Sequence, residues 1–142
     1  MNSNLEKAKE HLIRGEYTCV ACNGDIYIES SERGVKPLLD FIDLGTSLAE
    51  FSVADRVIGK AAAFLYIKLK AKEIYAGVIS RPAVELLNEN NVPVCFGEQV
   101  DYIINRTKTG LCPMEESVLD STDVEDAERK IRAKLAALKA GN

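Results

Sequence analysis

The spacing of apolar residues along the chain predicts its first helix. Apolar side chains recur every three to four residues over 5–14, which places Leu5, Ala8, Leu12 and Ile13 on one helical face. The polar residues of the same segment fall on the opposite face. Gly15 follows as the residue that ends the helix.

A β-hairpin is predicted next. Two runs with the residue types of strands, 17–22 and 25–29, flank the dipeptide Asn23-Gly24. Asn-Gly between two such runs is a strong hairpin signal, because both turn residues need a positive φ. The first two strands are therefore expected to be antiparallel neighbours.

The rest of the chain alternates between helical and strand-like patterns. Two helices are predicted first: one over 38–42, which Pro37 opens and Gly45 closes, and one over 56–69, which Ser52 or Asp55 caps. A strand over 73–79, a helix that begins at 80–82 and a strand over 92–96 follow. The last predicted elements are a strand at 102–104, a helix that begins at Pro113 and an amphipathic helix over 123–139. Strands alternating with helices after a hairpin predict an α/β fold, a three-layer α/β/α sandwich with a mixed sheet. We expect one domain over 1–142.

Composition narrows the possible functions. Lys and Arg number 18 against 22 Asp and Glu, a formal net charge of -4, which argues against a protein that coats nucleic acid. The apolar runs are too short to span a bilayer and the first residues do not form a signal peptide, so we expect a cytoplasmic protein with no membrane partner. The four Cys are then expected to be free thiols.

Three segments are expected to meet where a ligand would bind. In α/β folds, ligands lie beyond the carboxyl ends of strands and beside helix N-termini. The segments that fit this description are 52–60, 79–83 and 110–115.

The order of elements resembles the cytidine deaminase-like fold. In that fold, zinc is held by H-x-E or a Cys variant at the start of one core helix and by P-C-x-x-C at the start of the next. The counterparts here are Lys60-Ala61-Ala62 and 82–86, in which only Pro82 matches. The His, the Glu and both Cys of the motifs are missing.

More closely, the chain resembles a small prokaryotic family of domains of unknown function placed in that superfamily. The resemblance runs over 4–138 and is carried by three motifs: Arg33-Gly34-Val35-Lys36-Pro37-Leu38, Asp55-Arg56-Val57-Ile58-Gly59-Lys60-Ala61-Ala62-Ala63 and Gly110-Leu111-Cys112-Pro113-Met114-Glu115. It implies a deaminase-like scaffold without the metal and without an assigned reaction. It also implies a homo-oligomer.

The residues themselves argue against a zinc site. The sole histidine, His11, lies in the opening helix, and Ala62 stands where a deaminase needs a proton-shuttling Glu. A rival hypothesis is structural zinc on the Cys19-x-x-Cys22 pair, completed by the other two Cys. Residues three apart in a strand point to opposite faces, so this pair is not expected to share a metal. We expect no metal and no cofactor.

Three residues are candidates for chemistry: Asp55, Lys60 and Cys112. Lys60 would place a positive charge beside free N–H groups and so attract an anion. Asp55 could orient a ribose hydroxyl or act as a nucleophile or base. Cys112 precedes a helix, where thiolate is favoured. The alternative roles are structural: an N-cap Asp, a Lys whose stem covers apolar surface, and a buried thiol.

Seven further residues are candidates for ligand binding: Arg33, Gly34, Lys36, Gly59, Ser80, Arg81 and Glu115. The first three form a basic, Gly-containing loop that could close over a phosphate. Arg81 could pair with an anion through two N–H groups. Helix capping is the alternative role of Ser80 and of Glu115.

Together these observations predict a metal-free deaminase-fold protein. It would bind a nucleotide or a similar anionic small molecule in a cleft at the N-termini of the core helices, with the reaction unknown. The alternative is a non-catalytic interaction module whose pocket is vestigial. No nucleotide-binding glycine motif and no Ser-His-Asp set is present to decide between them.

Overall fold

The computed structural model describes residues 3–32, 34–104 and 110–140 of the chain. Within these ranges it contains six helices and five strands: α1 (Ser3–Arg14), β1 (Cys19–Asn23), β2 (Ile26–Ser30), α2 (Lys36–Asp43), β3 (Ser52–Ile58), α3 (Lys60–Lys68), β4 (Glu73–Ser80), α4 (Arg81–Glu89), β5 (Val94–Val100), α5 (Pro113–Ser117) and α6 (Val124–Ala140).

The strands form one mixed sheet in the order β2-β1-β3-β4-β5. β1 is antiparallel to both β2 and β3, whereas β3, β4 and β5 run parallel to one another. The predicted hairpin is confirmed, but its two loop residues are Gly24 and Asp25, because Asn23 still pairs with Ile26. Gly24 takes the positive φ, +61°, that this turn requires.

Helices cover both faces of the sheet. On one face, Ala8 and Leu12 of α1 pack against Val20, Cys22 and Ala54 of the strands. On the other face, the core is built from the remaining helices and includes Cys19. The arrangement confirms the predicted α/β fold and is consistent with a three-layer sandwich. It also places Cys19 and Cys22 on opposite faces, as their spacing predicts.

The predicted helix over 56–69 is wrong in its first part. Residues Ser52–Ile58 form β3, and α3 begins only at Lys60. β3 lies between β1 and β4 and is covered on both faces over its first half, so its sequence lacks the alternation that would mark a strand. Consequently neither Ser52 nor Asp55 caps a helix. Ser52 instead donates its hydroxyl hydrogen to Glu73 at 2.5 Å.

One further strand differs in extent and another predicted strand is absent. β5 runs on to Val100, well beyond the predicted end at residue 96. Residues 102–104 form no strand; Ile104 makes an isolated bridge to Leu111. α3 is confirmed as a deeply buried helix, with a continuous run of buried residues over 61–66. No helix within the described ranges has the length and apolar character needed to cross a lipid bilayer.

The docking of α6 gives a prediction about stability. Ile131 is fully buried, whereas Leu138, two turns further along the same face of the helix, is 41% exposed. We expect Ile131→Ala to lower the free energy of unfolding by about 2–5 kcal/mol, because the cavity it leaves cannot collapse fully. Leu138→Ala should change it by less than about 0.5 kcal/mol. Urea denaturation measures both, and equal effects would contradict this packing of α6.

Candidate functional site

A cavity of about 570 Å³ opens at the carboxyl end of β3. The start of β1 reaches the same end of the sheet because β1 is antiparallel to β3, with Cys19 beside Asp55. The N-termini of α2, α3 and α5 complete the walls. The lining residues are Thr18, Cys19, Gly34, Val35, Pro37, Asp55, Arg56, Val57, Gly59, Ala61, Ala62, Ile103, Cys112, Met114 and Glu115.

The structure brings five of the candidate residues together in this cavity: Gly34, Asp55, Gly59, Cys112 and Glu115. Two of the three segments expected to converge therefore do so, those over 52–60 and 110–115. The third, over 79–83, contributes no lining residue; the starts of β1 and α2 take its place. Arg33 lies outside the described residues.

Lys60 is separated from the cavity that holds Asp55. Its ammonium group donates to the carbonyl oxygen of Leu119 at 3.0 Å and lies 5.8 Å from the ring centre of Phe64. The side chain borders a different, smaller cavity of about 280 Å³, together with Glu85. Lys60 therefore does not line the same cavity as Asp55, because the first turn of α3 directs it toward the α5–α6 connection.

Three other candidate residues also lie outside the lining of the larger cavity. Lys36 forms ion pairs with Glu32 at 2.8 Å and Asp40 at 3.0 Å. Arg81 pairs with Asp101 at 3.1 Å on the surface. Ser80 is buried and accepts a hydrogen bond from the backbone N–H of Ala83 at 3.3 Å, so it performs the capping role that was its structural alternative.

Asp55 is held in the cavity by a buried tyrosine. The hydroxyl of Tyr66 donates to Asp55 Oδ2 at 2.6 Å, and the thiol of Cys19 lies 3.1 Å from that hydroxyl oxygen. Asp55 Oδ1 accepts the backbone N–H of Val57 at 3.2 Å. Both carboxyl oxygens are therefore oriented, and each keeps a lone pair for a further donor.

Burial raises the pKa values of the cluster formed by Asp55, Tyr66 and Cys19. It raises the pKa of Asp55 from 3.8 to about 6, although the hydrogen bond from Tyr66 acts in the opposite direction. Burial also raises the pKa of the Cys19 thiol and of the Tyr66 hydroxyl, so both remain protonated at neutral pH. Asp55 is thus the member of the cluster that exchanges a proton near neutrality, as a general base or acid would.

Glu115 occupies the N-terminus of α3. Its Oε1 accepts the backbone N–H of Lys60 at 2.7 Å and its Oε2 accepts that of Ala61 at 3.0 Å. α3 has no cap from its own N-cap residue, Gly59, and a Cβ there would overlap the Glu115 carboxylate. Burial raises the pKa of Glu115, and the two N–H groups and the charge of Lys60 oppose the rise. Glu115 therefore has the capping role that was its structural alternative, but it caps α3 and not its own helix, α5.

Arg56 is the only cationic side chain among the described residues that line the cavity. Its guanidinium donates to the carbonyl oxygens of Leu12 at 2.7 Å, Gly15 at 3.1 Å and Tyr17 at 2.7 Å. These carbonyls lie at and beyond the end of α1, where a positive charge is favoured. The guanidinium therefore joins β3 to α1, and its Nε and Nη2 donors are already directed at protein acceptors.

The sequence pattern did not identify three residues of the site: Cys19, Arg56 and Tyr66. A signal was available for Tyr66, because a hydroxyl in a helix that is apolar nearly all round needs a buried partner. No such signal marks Cys19 or Arg56, whose roles depend on strand pairing. Over the parts of the chain that the structure describes, no group of three or more His, Cys, Asp or Glu side chains could hold a metal ion.

Comparisons with known proteins place the chain in a family. Residues 7–135 match the family model described as "TM1506: Domain of unknown function (DUF1893)". The chain belongs to the DUF1893 family. A crystal structure of a DUF1893 family protein (TM1506) from Thermotoga maritima is 30% identical in sequence, with a TM-score of 0.83 over 96% of this chain and 92% of that one. No curated protein matches the chain.

The Glu115 contact predicts a non-additive pair of substitutions. Glu115→Ala removes both acceptors from the α3 N-terminus, and Gly59→Ala pushes the carboxylate away from it, so each should lower the free energy of unfolding by about 1–3 kcal/mol. In the Glu115→Ala background, Gly59→Ala should cost far less, because the overlapping group is gone. Glu116→Ala, at the exposed neighbouring position, is the matched control. Additive costs in urea denaturation would contradict this contact.

The raised pKa of Asp55 predicts how stability varies with pH. Since the folded-state value of about 6 lies above 3.8, the folded chain binds this proton more tightly than the unfolded chain does. The stabilisation is complete below about pH 4 and is lost as the pH rises through 6. The advantage of wild type over Asp55→Asn in urea denaturation should therefore shrink across this window.

Tyr66→Phe provides the control for this titration. Its hydroxyl lowers the pKa of Asp55, so its removal should move the window to higher pH. A stability difference between wild type and Asp55→Asn that does not change with pH would show that Asp55 is not buried as described.

Proposed function

We propose that this DUF1893 domain binds a nucleotide-like small molecule in the cavity at the carboxyl end of β3. The proposal rests chiefly on one observation: a carboxyl group, Asp55, is fixed by Tyr66 inside a cavity whose other walls are largely apolar. Ligand sites commonly combine apolar walls with a few oriented polar groups. The reaction, if one occurs, is left open.

Asp55 favours a ligand with N–H or O–H donors. Its two oxygens can each accept one more hydrogen bond, and the amino group or ring N–H of a nucleobase would supply such donors. Val35, Ala62, Ile103 and Met114 offer apolar surface to the flat faces of a heterocycle. A ribose hydroxyl is the other donor that Asp55 could orient.

The anionic end of the ligand needs a different place from the one that the sequence predicted. The N-terminus of α3 is already occupied by the Glu115 carboxylate, and the Lys60 side chain points away from this cavity. The N-terminus of α2 is the better candidate, because its N-cap residue, Val35, supplies no side-chain cap and Gly34 has a φ of +69°. The backbone N–H of Lys36 and the helix dipole there favour a phosphate or carboxylate, while Pro37 has no N–H and that of Leu38 donates to the carbonyl oxygen of Val35.

The scaffold is proposed to be deaminase-like. The order of elements with an opening helix and hairpin supports this relationship, as does the position of the cavity beside α3. The segment Lys60-Ala61-Ala62 offers neither the His ligand nor the Glu of a zinc deaminase. We therefore propose binding on such a scaffold and do not propose zinc-dependent deamination.

Thermal denaturation with added ligands tests this proposal. Cytidine and adenosine monophosphates should raise the melting temperature with concentration, their nucleosides less, and inorganic phosphate least. A ligand at one hundred times its Kd stabilises the native state by about 2.7 kcal/mol. Asp55→Ala should abolish the shift, whereas Lys60→Ala, outside this cavity, should keep it.

Two outcomes would contradict the proposal. One is that no nucleotide, nucleoside or phosphate stabilises the folded wild-type protein. The other is that nucleotide binding persists in Asp55→Ala, shown by its circular dichroism spectrum to be folded. The first outcome would favour the alternative, a non-catalytic interaction module with a vestigial pocket.

A further inference from the structure

Among the described residues, no strand pairs with the outer edge of β5. β5 pairs with β4 on one side and ends the sheet on the other. α4 packs against it, while α1 packs mainly on β1 and on the central strand β3. Four consecutive residues, Phe96 to Gln99, are exposed. The unpaired N–H and C=O groups along such an edge can pair with a strand of another chain.

The sequence of β5 does little to prevent strand pairing. Proteins protect open sheet edges with lysine, proline or bulges inside the edge strand. β5 contains one charged residue, Glu98, and neither lysine nor proline over its seven residues. The opposite edge strand, β2, is shorter, with five residues.

We infer that β5 is the interface with a second copy of this chain, paired antiparallel about a two-fold axis at Gly97. All seven residues pair in this register. Val94 lies opposite Val100 of the partner subunit, Cys95 opposite Gln99 of the partner subunit, and Phe96 opposite Glu98 of the partner subunit. The two five-stranded sheets join into one continuous sheet.

The register suits a second copy better than an unrelated strand. It places the single charge of β5, Glu98, opposite an apolar ring and not opposite another Glu98. The Val residues at the two ends of the strand meet each other. At the axis, Gly97 faces Gly97 of the partner subunit, so no side chains collide where the strands cross. A two-fold interface of this kind is closed and does not propagate.

A charge reversal tests the register in solution. Phe96→Glu puts a carboxylate opposite Glu98 of the partner subunit, and this repulsion occurs twice per dimer. The variant should therefore be a monomer. Light scattering should show its mass halved, toward 15.6 kDa. Adding Glu98→Lys to that variant turns each repulsion into an attraction and should restore the dimer. Both positions are exposed, so the fold should be kept.

Cysteine cross-linking gives an independent readout. Gln99→Cys places a thiol opposite the native Cys95 of the partner subunit, within the reach of a disulfide across paired strands. Oxidation should yield a covalent dimer on a non-reducing gel. Gln99→Cys with Cys95→Ser should stay monomeric there, as should Tyr27→Cys on the β2 edge.

The inference is overturned by any of three results. The wild type could have the mass of one chain at every concentration measured. The Phe96→Glu variant could remain a dimer, which would place the interface elsewhere. Gln99→Cys could cross-link no faster than its Cys95→Ser control. None of these measurements depends on ligand binding, so they test the dimer independently of the proposed nucleotide site.

Discussion

The carboxylate of Glu115 accepts the first two free N–H groups of α3 from a position 55 residues further along the chain. This contact ties the short helix α5 to the most buried helix of the core, and α5 forms one wall of the cavity. It also requires a residue without a Cβ at position 59. A helix N-terminus that would otherwise attract an anionic ligand is instead satisfied from within the molecule. The kinds of ligand that the cavity could bind therefore depend on the Glu115 contact with α3.

With the α3 terminus occupied, Asp55 becomes the principal polar group of the cavity that the proposed ligand would contact. Tyr66, on α3, orients Asp55, while Arg56 next to it holds β3 against the end of α1. The same helix therefore carries both the group that orients Asp55 and the terminus that Glu115 occupies. Displacing Glu115 would loosen the wall that α5 forms. The cavity is better suited to a donor-rich ligand with a remote anionic group than to an anion bound at the core helix.

The elements that depend on residues close together in the sequence were the ones that the sequence predicted. The hairpin follows from Gly24, the start of α4 from Ser80, and α6 from its apolar stripe. β3 was missed because a central strand covered on both faces has no alternation and merges with the alanines that follow it. The extent of β5 was underestimated because its exposed half is polar and glycine-containing.

The site was predicted only in part for a related reason. Cys112 and Glu115 were found because the start of α5 is a local signal, and they do line the cavity with Asp55. The direction of Lys60 depends on Leu119 and Phe64, which a one-dimensional pattern cannot place beside it. Tyr66 and Cys19 join Asp55 through helix–strand packing and strand pairing between distant segments. Tertiary contacts, not residue types, decide such positions.

The backbone amides of Lys60 and Ala61 provide the most direct measurement of the central contact. In a nuclear magnetic resonance titration, both amide signals should shift with the ionisation of Glu115, at a pH above the ordinary range of a glutamate, and should exchange slowly with solvent. The shifts should vanish in Glu115→Gln. Amides that exchange quickly and do not respond to pH would show that Glu115 does not cap α3, and the description of the cavity built on that contact would fail.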